Sequence, residues 1–188
     1  RKGPAKPLSE LLAGSLPPQN LDAERMLLGC VLRDSLVMAD LVRSIRPEHF
    51  YSDKHQKIFQ GMVELFEQGV VIDPVTLGER LNARGTLVDV GAPAIAEIYN
   101  QTLTAANFRY YAKLVQEKSI VRNLIHVGNE ILRDAYEGTG DADHLLSEAE
   151  KKIFAIASSR SAGDAVDLGQ VLQLAFKRLA ERQSKDGQ

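Results

Sequence analysis

The sequence predicts an all-α protein, and three observations carry that reading. Apolar residues recur at three- and four-residue spacing through most of the chain, and no stretch alternates apolar and polar residues for the length of a strand. Helix-starting residues stand just ahead of the stripes, above all Asn20 and the pair Asp73-Pro74. Proline or glycine falls where the stripes stop, at Pro47, Gly69, Gly85 and Gly138. No segment repeats at a fixed period.

The expected elements follow in order. Residues 1–18 hold Gly3, Pro4, Pro7, Gly14, Pro17 and Pro18 and are expected to form a loosely held arm. A globular helical domain is expected over 19–103. Asn20 caps its first helix at Leu21, which carries Met26, Leu27, Leu28, Val31 and Leu32 on one face. A short helix over Leu36–Ile45 stops before Pro47, because proline pushes the preceding residue out of helical geometry. Ser52 or Asp53 opens a third, with Ile58, Phe59, Met62, Val63, Leu65 and Phe66, closed by Gly69. Asp73 caps a fourth with Pro74 in its first position, and Ile72 and Leu77 are spaced as a hydrophobic staple. That helix runs to Arg84 and stops at Gly85, and another spans Pro93–Gln101.

Residues 104–158 are expected to form a helical hairpin, turning at Gly138-Thr139-Gly140-Asp141. Leu124, Gly128, Ile131 and Ala135 on the outgoing arm, with Leu146, Ala149, Ile153 and Ile156 on the return arm, keep a spacing near 3.5 and are assigned to the seam. Ile125, Leu132, Leu145 and Phe154 then form a surplus that one partner helix cannot cover. That surplus is either extra intramolecular core or a surface for self-association. Residues 159–167 form a small-residue linker, and 168–188 a last amphipathic helix with Leu168, Val171, Leu172, Ala175, Phe176 and Leu179 on its apolar face. Leu168, Leu172, Phe176 and Leu179 are its docking residues, in the manner of a helix laid into a groove.

Composition narrows the function. A formal net charge of −2 gives no electrostatic reason for tight, nonspecific nucleic-acid binding. No apolar run approaches the ~20 residues that span a membrane. A lone Cys30 rules out an intrachain disulfide and fits a reducing cytoplasm. The start at Arg1 reads as a trimmed or partial chain. No Gly-Lys pair exists, so there is no phosphate-cradling loop of the Walker type and no expected cofactor, ATP and Mg included. His49, His55, His126 and His144 keep no zinc spacing with Cys or one another. His49 and His55 flank Phe50-Tyr51 and serve as a catalytic pair or as hydrogen-bonded structural histidines. Asp141, Asp143 and His144 either hold a divalent ion or simply make the turn and its cap. Arg109, Tyr110, Tyr111 and Lys113 are the best basic-aromatic cluster for nucleic acid, weakened by Glu117 one turn from Lys113. The choice lies between a docking module, a nucleic-acid-binding helical module and a generic protein-protein scaffold.

Four stretches in order, none specific alone, resemble the amino-terminal domain of DnaB-type replicative helicases. They are Pro17-Pro18-Gln19-Asn20-Leu21-Asp22-Ala23-Glu24 with Leu28-Gly29; Ile45 to Phe59, similar to an L-x-P-x-D-F-Y…H-x-x-I-F pattern; Ile72 to Leu77; and Thr104-Ala105-Ala106-Asn107 through Tyr111, Val115, Glu117 and Lys118. The chain departs from the pattern after Val90, where Gly91 is followed by Ala92-Pro93, so residues 92–99 are expected to pack differently. The resemblance implies a non-catalytic module whose hairpins pair, three pairs building the collar of a hexamer that receives the helicase-binding domain of primase. It implies that the last helix packs on the ATPase domain of a neighbouring subunit, with ATP and Mg bound in that domain, absent from this chain. It implies cytoplasmic DNA replication.

Overall fold

Asn20 starts the helices where the sequence places the first cap: its side-chain oxygen accepts from Ala23 N at 2.9 Å and opens α1, Leu21–Arg33. The computed structural model describes residues 16–138 and 141–163. The calls for 1–15 and for 164–188, with Leu168, Leu172, Phe176 and Leu179, lie outside them. Within the described residues the order is α1; a 3-10 turn, Ser35–Val37; α2, Met38–Ser44; a 3-10 turn, Pro47–His49; α3, Asp53–Glu67; α4, Pro74–Ala83; α5, Leu87–Val90; α6, Ala92–Gln101; α7, Phe108–Glu137; and α8, Ala142–Gly163. No strand occurs among them.

Local signals account for most of these boundaries. Asp73 Oδ1 accepts from Val75 N and Thr76 N at 2.8 and 2.9 Å, and Thr76 Oγ1 returns the favour by accepting from Asp73 N. Ile72 and Leu77 close over this cap, both buried, as a staple does. Gly138 ends α7 with φ of 62°, a left-handed conformation that costs glycine nothing and other residues about 1–2 kcal/mol. Two elements differ from expectation. The Leu36–Ile45 helix splits into a 3-10 turn and α2, because Asp34 accepts from Leu36 N and tightens the first turn. The short α5 was not expected; a helix this short shows no periodicity.

α1 is the centre of the core. It packs against α7, α6 and α3, and Leu27, Leu28, Cys30 and Val31 are fully buried. Phe50 and Phe59 stack tilted beneath it, 5.1 Å between centroids. Cys30 is sealed there, and burial pushes its thiol up to about 11, so it stays protonated and unreactive at neutral pH. α6 keeps Ile95 and Ile98 in the core despite the altered sequence around Ala92-Pro93. It approaches α1 so closely that only Gly29 fits between them: a Cβ there would lie 1.9 Å from Thr102 Oγ1.

The hairpin does not begin at 104. Thr104 Oγ1 accepts from Ala106 N, a local turn that competes with the helix, and α7 starts at Phe108. Its first part belongs to the globular core, with Ala112, Val115 and Ser119 buried against α1. The return arm is also longer than expected, continuing past Ser158 to Gly163.

Candidate assembly interface

Two groups of residues build the surface: a buried junction that holds α7 to the core, and the free part of the hairpin. The junction starts at Glu24, only 2% exposed on the apolar face of α1. Its Oε1 accepts from Tyr51 N at 2.6 Å and its Oε2 from Ser52 N at 3.3 Å. His55 Nδ1 shares a hydrogen bond of 2.8 Å with Oε2. Glu24 thus caps α3 from another helix, while the Ser52 side chain makes no cap. Arg122, on the same stripe of α7 as Val115 and Ser119, sends Nη1 to Pro18 O at 2.8 Å and Nη2 to His49 O at 2.6 Å. Its guanidinium lies 5.7 Å from the Tyr51 ring centroid. Burial lowers the Arg122 pKa, and the Glu24 charge partly offsets that. Pro18, the Pro47–His49 turn and α7 are therefore tied at one side chain.

The two histidines are structural. His49 Nδ1 accepts from Arg46 N at 3.1 Å, and His55 belongs to Glu24. Burial holds His49 below the usual histidine range; Arg46 and Arg122 push the same way and Glu48 opposes. The folded pKa is depressed, so the unfolded chain binds more protons in the window below about 6.5. Stability from this group is complete above that window and is lost as pH falls through it. Between about pH 7.5 and about 5.5 the wild type should therefore lose more stability than His49→Gln. Parallel denaturation curves at the two pH values, equal for both proteins, would show that His49 does not titrate in this way.

Lys152 of α8 sets the hairpin's register: its Nζ lies 2.8 Å from Asp134 Oδ2 and 3.3 Å from Glu130 Oε2, both on α7. Those bonds raise the Lys152 pKa and lower that of Asp134. Beyond Arg122 the half-buried positions are Val127, Glu130, Ile131 and Asp134 on α7 and Leu145, Glu148, Ala149, Lys152 and Ile156 on α8, with Val127, Ile131 and Asp134 set against Leu145, Ala149, Lys152 and Ile156. That is a three-four repeat, one residue out of phase with much of the assignment made from apolar residues alone. Ile131, Ala149 and Ile156 are in the seam as expected. Leu124, Gly128 and Ala135 are exposed, and so are Leu146 at 61% and Ile153 at 51%. Leu145, assigned to the surplus, is in the seam. The reason is Lys152, whose stem packs in the seam while its ammonium pairs across it.

The displaced leucines and isoleucine make one face. On α7 the exposed Val121, Leu124, Ile125, Gly128, Leu132 and Tyr136 recur three or four residues apart. On α8 Leu146 and Ile153 are two turns apart on one flank. With the seams apposed in antiparallel helices, both stripes fall on the same side of the hairpin. Phe154, 72% exposed, sits on the outer edge of α8, away from the seam.

The other candidate chemistry is quiet. Asp141 Oδ1 accepts from His144 N at 2.8 Å, so this cluster makes the turn's cap. No His, Cys, Asp and Glu group suited to a metal occurs among the described residues. Arg109 pairs with Asp40 at 2.7 Å, Lys113 faces Glu117 at 4.0 Å, and Tyr111 packs on the core, which leaves little basic surface there. No described helix is long and apolar enough to cross a membrane. Glu24 and Arg122 were missed in the sequence. Their signal was a charge standing on an apolar stripe, Glu24 ahead of Leu27-Leu28 and Arg122 after Val115 and Ser119.

These features define an all-α module with an apolar hairpin face that nothing among the described residues covers. Residues 16–117 match the family described as the DnaB-like helicase N terminal domain, and the chain belongs to that family. It is 32% identical over 182 residues to the replicative DNA helicase DnaB of Geobacillus stearothermophilus, covering 96% of this chain and 40% of that protein. It is 34% identical over 181 residues to the replicative DNA helicase DnaC of Bacillus subtilis (strain 168), with the same two coverages, 96% and 40%. The chain thus spans well under half the length of these relatives. The crystal structure of the N-terminal domain of DnaB helicase from Mycobacterium tuberculosis superposes with a TM-score of 0.71 at 33% identity, over 74% of this chain and 99% of that one. A structure of a DnaB-like replicative helicase and its interactions with primase shares the fold, with a TM-score of 0.62 at 20% identity, over 86% of this chain and 35% of that one.

Proposed function

We propose that this chain is the assembly and primase-docking part of a hexameric replicative DNA helicase working in the cytoplasm. The observation that carries the reading is the apolar hairpin face, which nothing in the chain's described residues covers. Leu124, Ile125, Leu132, Leu146 and Ile153 are its centre, and a second copy is its natural partner, since a two-fold pair uses one surface twice. Ile131 and Leu145 support the face from the seam, and Phe154 borders it. Family membership and the relatives' names support the helicase reading. Primase docking rests on the resemblance and on the fold shared with a helicase described with primase. The face Leu168, Leu172, Phe176 and Leu179 then packs on the ATPase domain of a neighbouring subunit, where ATP and Mg bind.

Burying each such apolar side chain is worth roughly 1.5–3 kcal/mol before association costs. Leu132→Glu should therefore abolish self-association at concentrations where the wild type pairs, with helical content unchanged because the core lies elsewhere. Sedimentation over a wide concentration range, with circular dichroism alongside, tests this. A wild type that stays monomeric throughout, or a mutant that pairs equally well, refutes the assignment.

A further inference from the structure

The exposed stripe of α7 has an order that stickiness alone does not require. Tyr110, Leu114, Val121, Ile125, Leu132 and Tyr136 stand within about a third of the helix circumference. Leu114 is half-buried and the other five are exposed. Reflected through Asn123, the stripe reads the same in either direction. Tyr110 exchanges with Tyr136, Leu114 with Leu132, and Val121 with Ile125. Gly128, with nothing within 4 Å of where its Cβ would stand, exchanges with Lys118 and leaves room for that longer side chain. A two-fold axis asks for this order, because where residue i meets residue j of the partner, j also meets i. A second α7 laid antiparallel across Asn123 sets tyrosine on tyrosine, leucine on leucine and one β-branched residue on another.

Charge points the same way. The tip of the hairpin exposes Glu137, Asp141, Asp143 and Glu150, while its base carries Arg109, Lys113 and Lys118. The cations nearest the tip, Arg133, Lys151 and Lys152, are already paired within the hairpin. At the base Lys113 is 74% exposed and reaches Glu117 only at 4.0 Å. With Lys152 opposite Glu130 and Asp134, antiparallel register sets Glu150 level with about residue 134 of α7. Reflection through Asn123 carries that level to about residue 112 of a second copy, beside its Lys113. The opposite arrangement, tips side by side, brings the acidic tips together. It also leaves Tyr110 and Leu114 bare, since Gly163 comes level with about residue 121 and the described part of α8 stops there.

We propose that two copies pair tip to base, α7 antiparallel on α7 about Asn123, with Tyr136 of each copy on Tyr110 of the other. The acidic tip of each hairpin then lies on the basic base of its partner, Glu150 near Lys113. This rests on the reading that the hairpin face joins two copies, and adds to it an orientation and a register. The two globular domains stand at opposite ends of the pair.

Cross-linking reads the orientation, because the native Cys30 is fully buried and its thiol stays protonated. Tyr110→Cys and Tyr136→Cys, both at exposed positions, are made in the whole 188-residue chain. In a tip-to-base pair the two copies of either cysteine stand about 39 Å apart, at 1.5 Å per residue. A short bis-maleimide should therefore give little covalent dimer with either variant alone. An equal mixture of the two should give at least about tenfold more, from the cysteines held together. A second pair of variants leaves the stripe intact. Lys113→Glu alone should weaken pairing in sedimentation by about fivefold, and adding Glu150→Lys should recover it. Covalent dimer from Tyr136→Cys alone overturns the orientation while leaving hairpin pairing standing. So does a double charge variant that pairs more weakly than Lys113→Glu. A wild type that stays monomeric at every concentration overturns pairing and orientation together.

Discussion

Gly29→Ala should cost about 2–3 kcal/mol of stability, even after the ~1 kcal/mol that alanine gains over glycine in a helix is set against it. The added methyl would lie 1.9 Å from Thr102 Oγ1, 2.6 Å from Thr102 Cβ and 3.0 Å from Ile98 O. None of the three can yield cheaply. Thr102 is fully buried, its hydroxyl donates to Ile98 O at 3.1 Å, and Ile98 O is backbone. α1 and α6 must therefore separate. That strains the bonds from Arg33 to Thr102 O and Tyr99 O, at 2.6 and 2.8 Å. Thr102→Ala in the same chain removes the worst clash and should restore about half of the loss, a coupling that independent sites would not show. Urea denaturation of the two single variants and the double variant measures it. A Gly29→Ala protein as stable as wild type would mean that the helices are not held this closely.

Glu24→Ala should cost about 3–5 kcal/mol, because it leaves buried donors without an acceptor and Arg122 without its offsetting charge. The Tyr51 and Ser52 amides and the His55 ring all lose their partner. Glu24→Gln keeps one acceptor oxygen and should lose less, about 1–2 kcal/mol. Amide exchange distinguishes this account from a general loss of packing. Tyr51 and Ser52 should lose protection in Glu24→Gln first, while amides in α4 stay protected. Equal losses across the domain would show that Glu24 is a packing residue and no cap.

What could be read in the sequence was what depends on near neighbours. Asn20 and Asp73 cap their helices through atoms two or three residues away, so the caps follow from local chemistry alone. Gly138 turns the hairpin for the same reason. The cap on α3 was legible only in part: Ser52 is its N-cap residue as expected, but its side chain makes no capping bond, and the acceptor for its amide comes from Glu24, on another helix. The seam was misphased because phase was judged from apolar residues, whereas Lys152 takes a seam position and is satisfied only by Glu130 and Asp134 across the gap. Leu124, Leu146 and Ile153 stand on the face and not in the seam, Ile131 keeps its seam position, and Leu145, assigned to the surplus, lies in the seam. Arg122 stood in plain view on the Val115–Ser119 stripe, but its partners are backbone carbonyls, which no side-chain pattern announces.

The position of Arg122 has a mechanical consequence. α7 is a single rod of 30 residues, clamped in the core at its lower part and, beyond the Arg122 anchor, braced by α8, which also contacts α2. From that anchor to the tip at Glu137 is about 22 Å at 1.5 Å per residue. A tilt of only about 5° at the clamp swings the tip by roughly 2 Å, enough to lose most of the contact between two side chains packed at van der Waals distance. In a closed symmetric ring the same angular error recurs at each subunit and does not average out. Two carbonyl oxygens far from the apolar face, with the brace of α8 on α2, thus set the aiming tolerance of everything mounted on the rod. Grafting the face onto another scaffold would carry its stickiness but not its bearing.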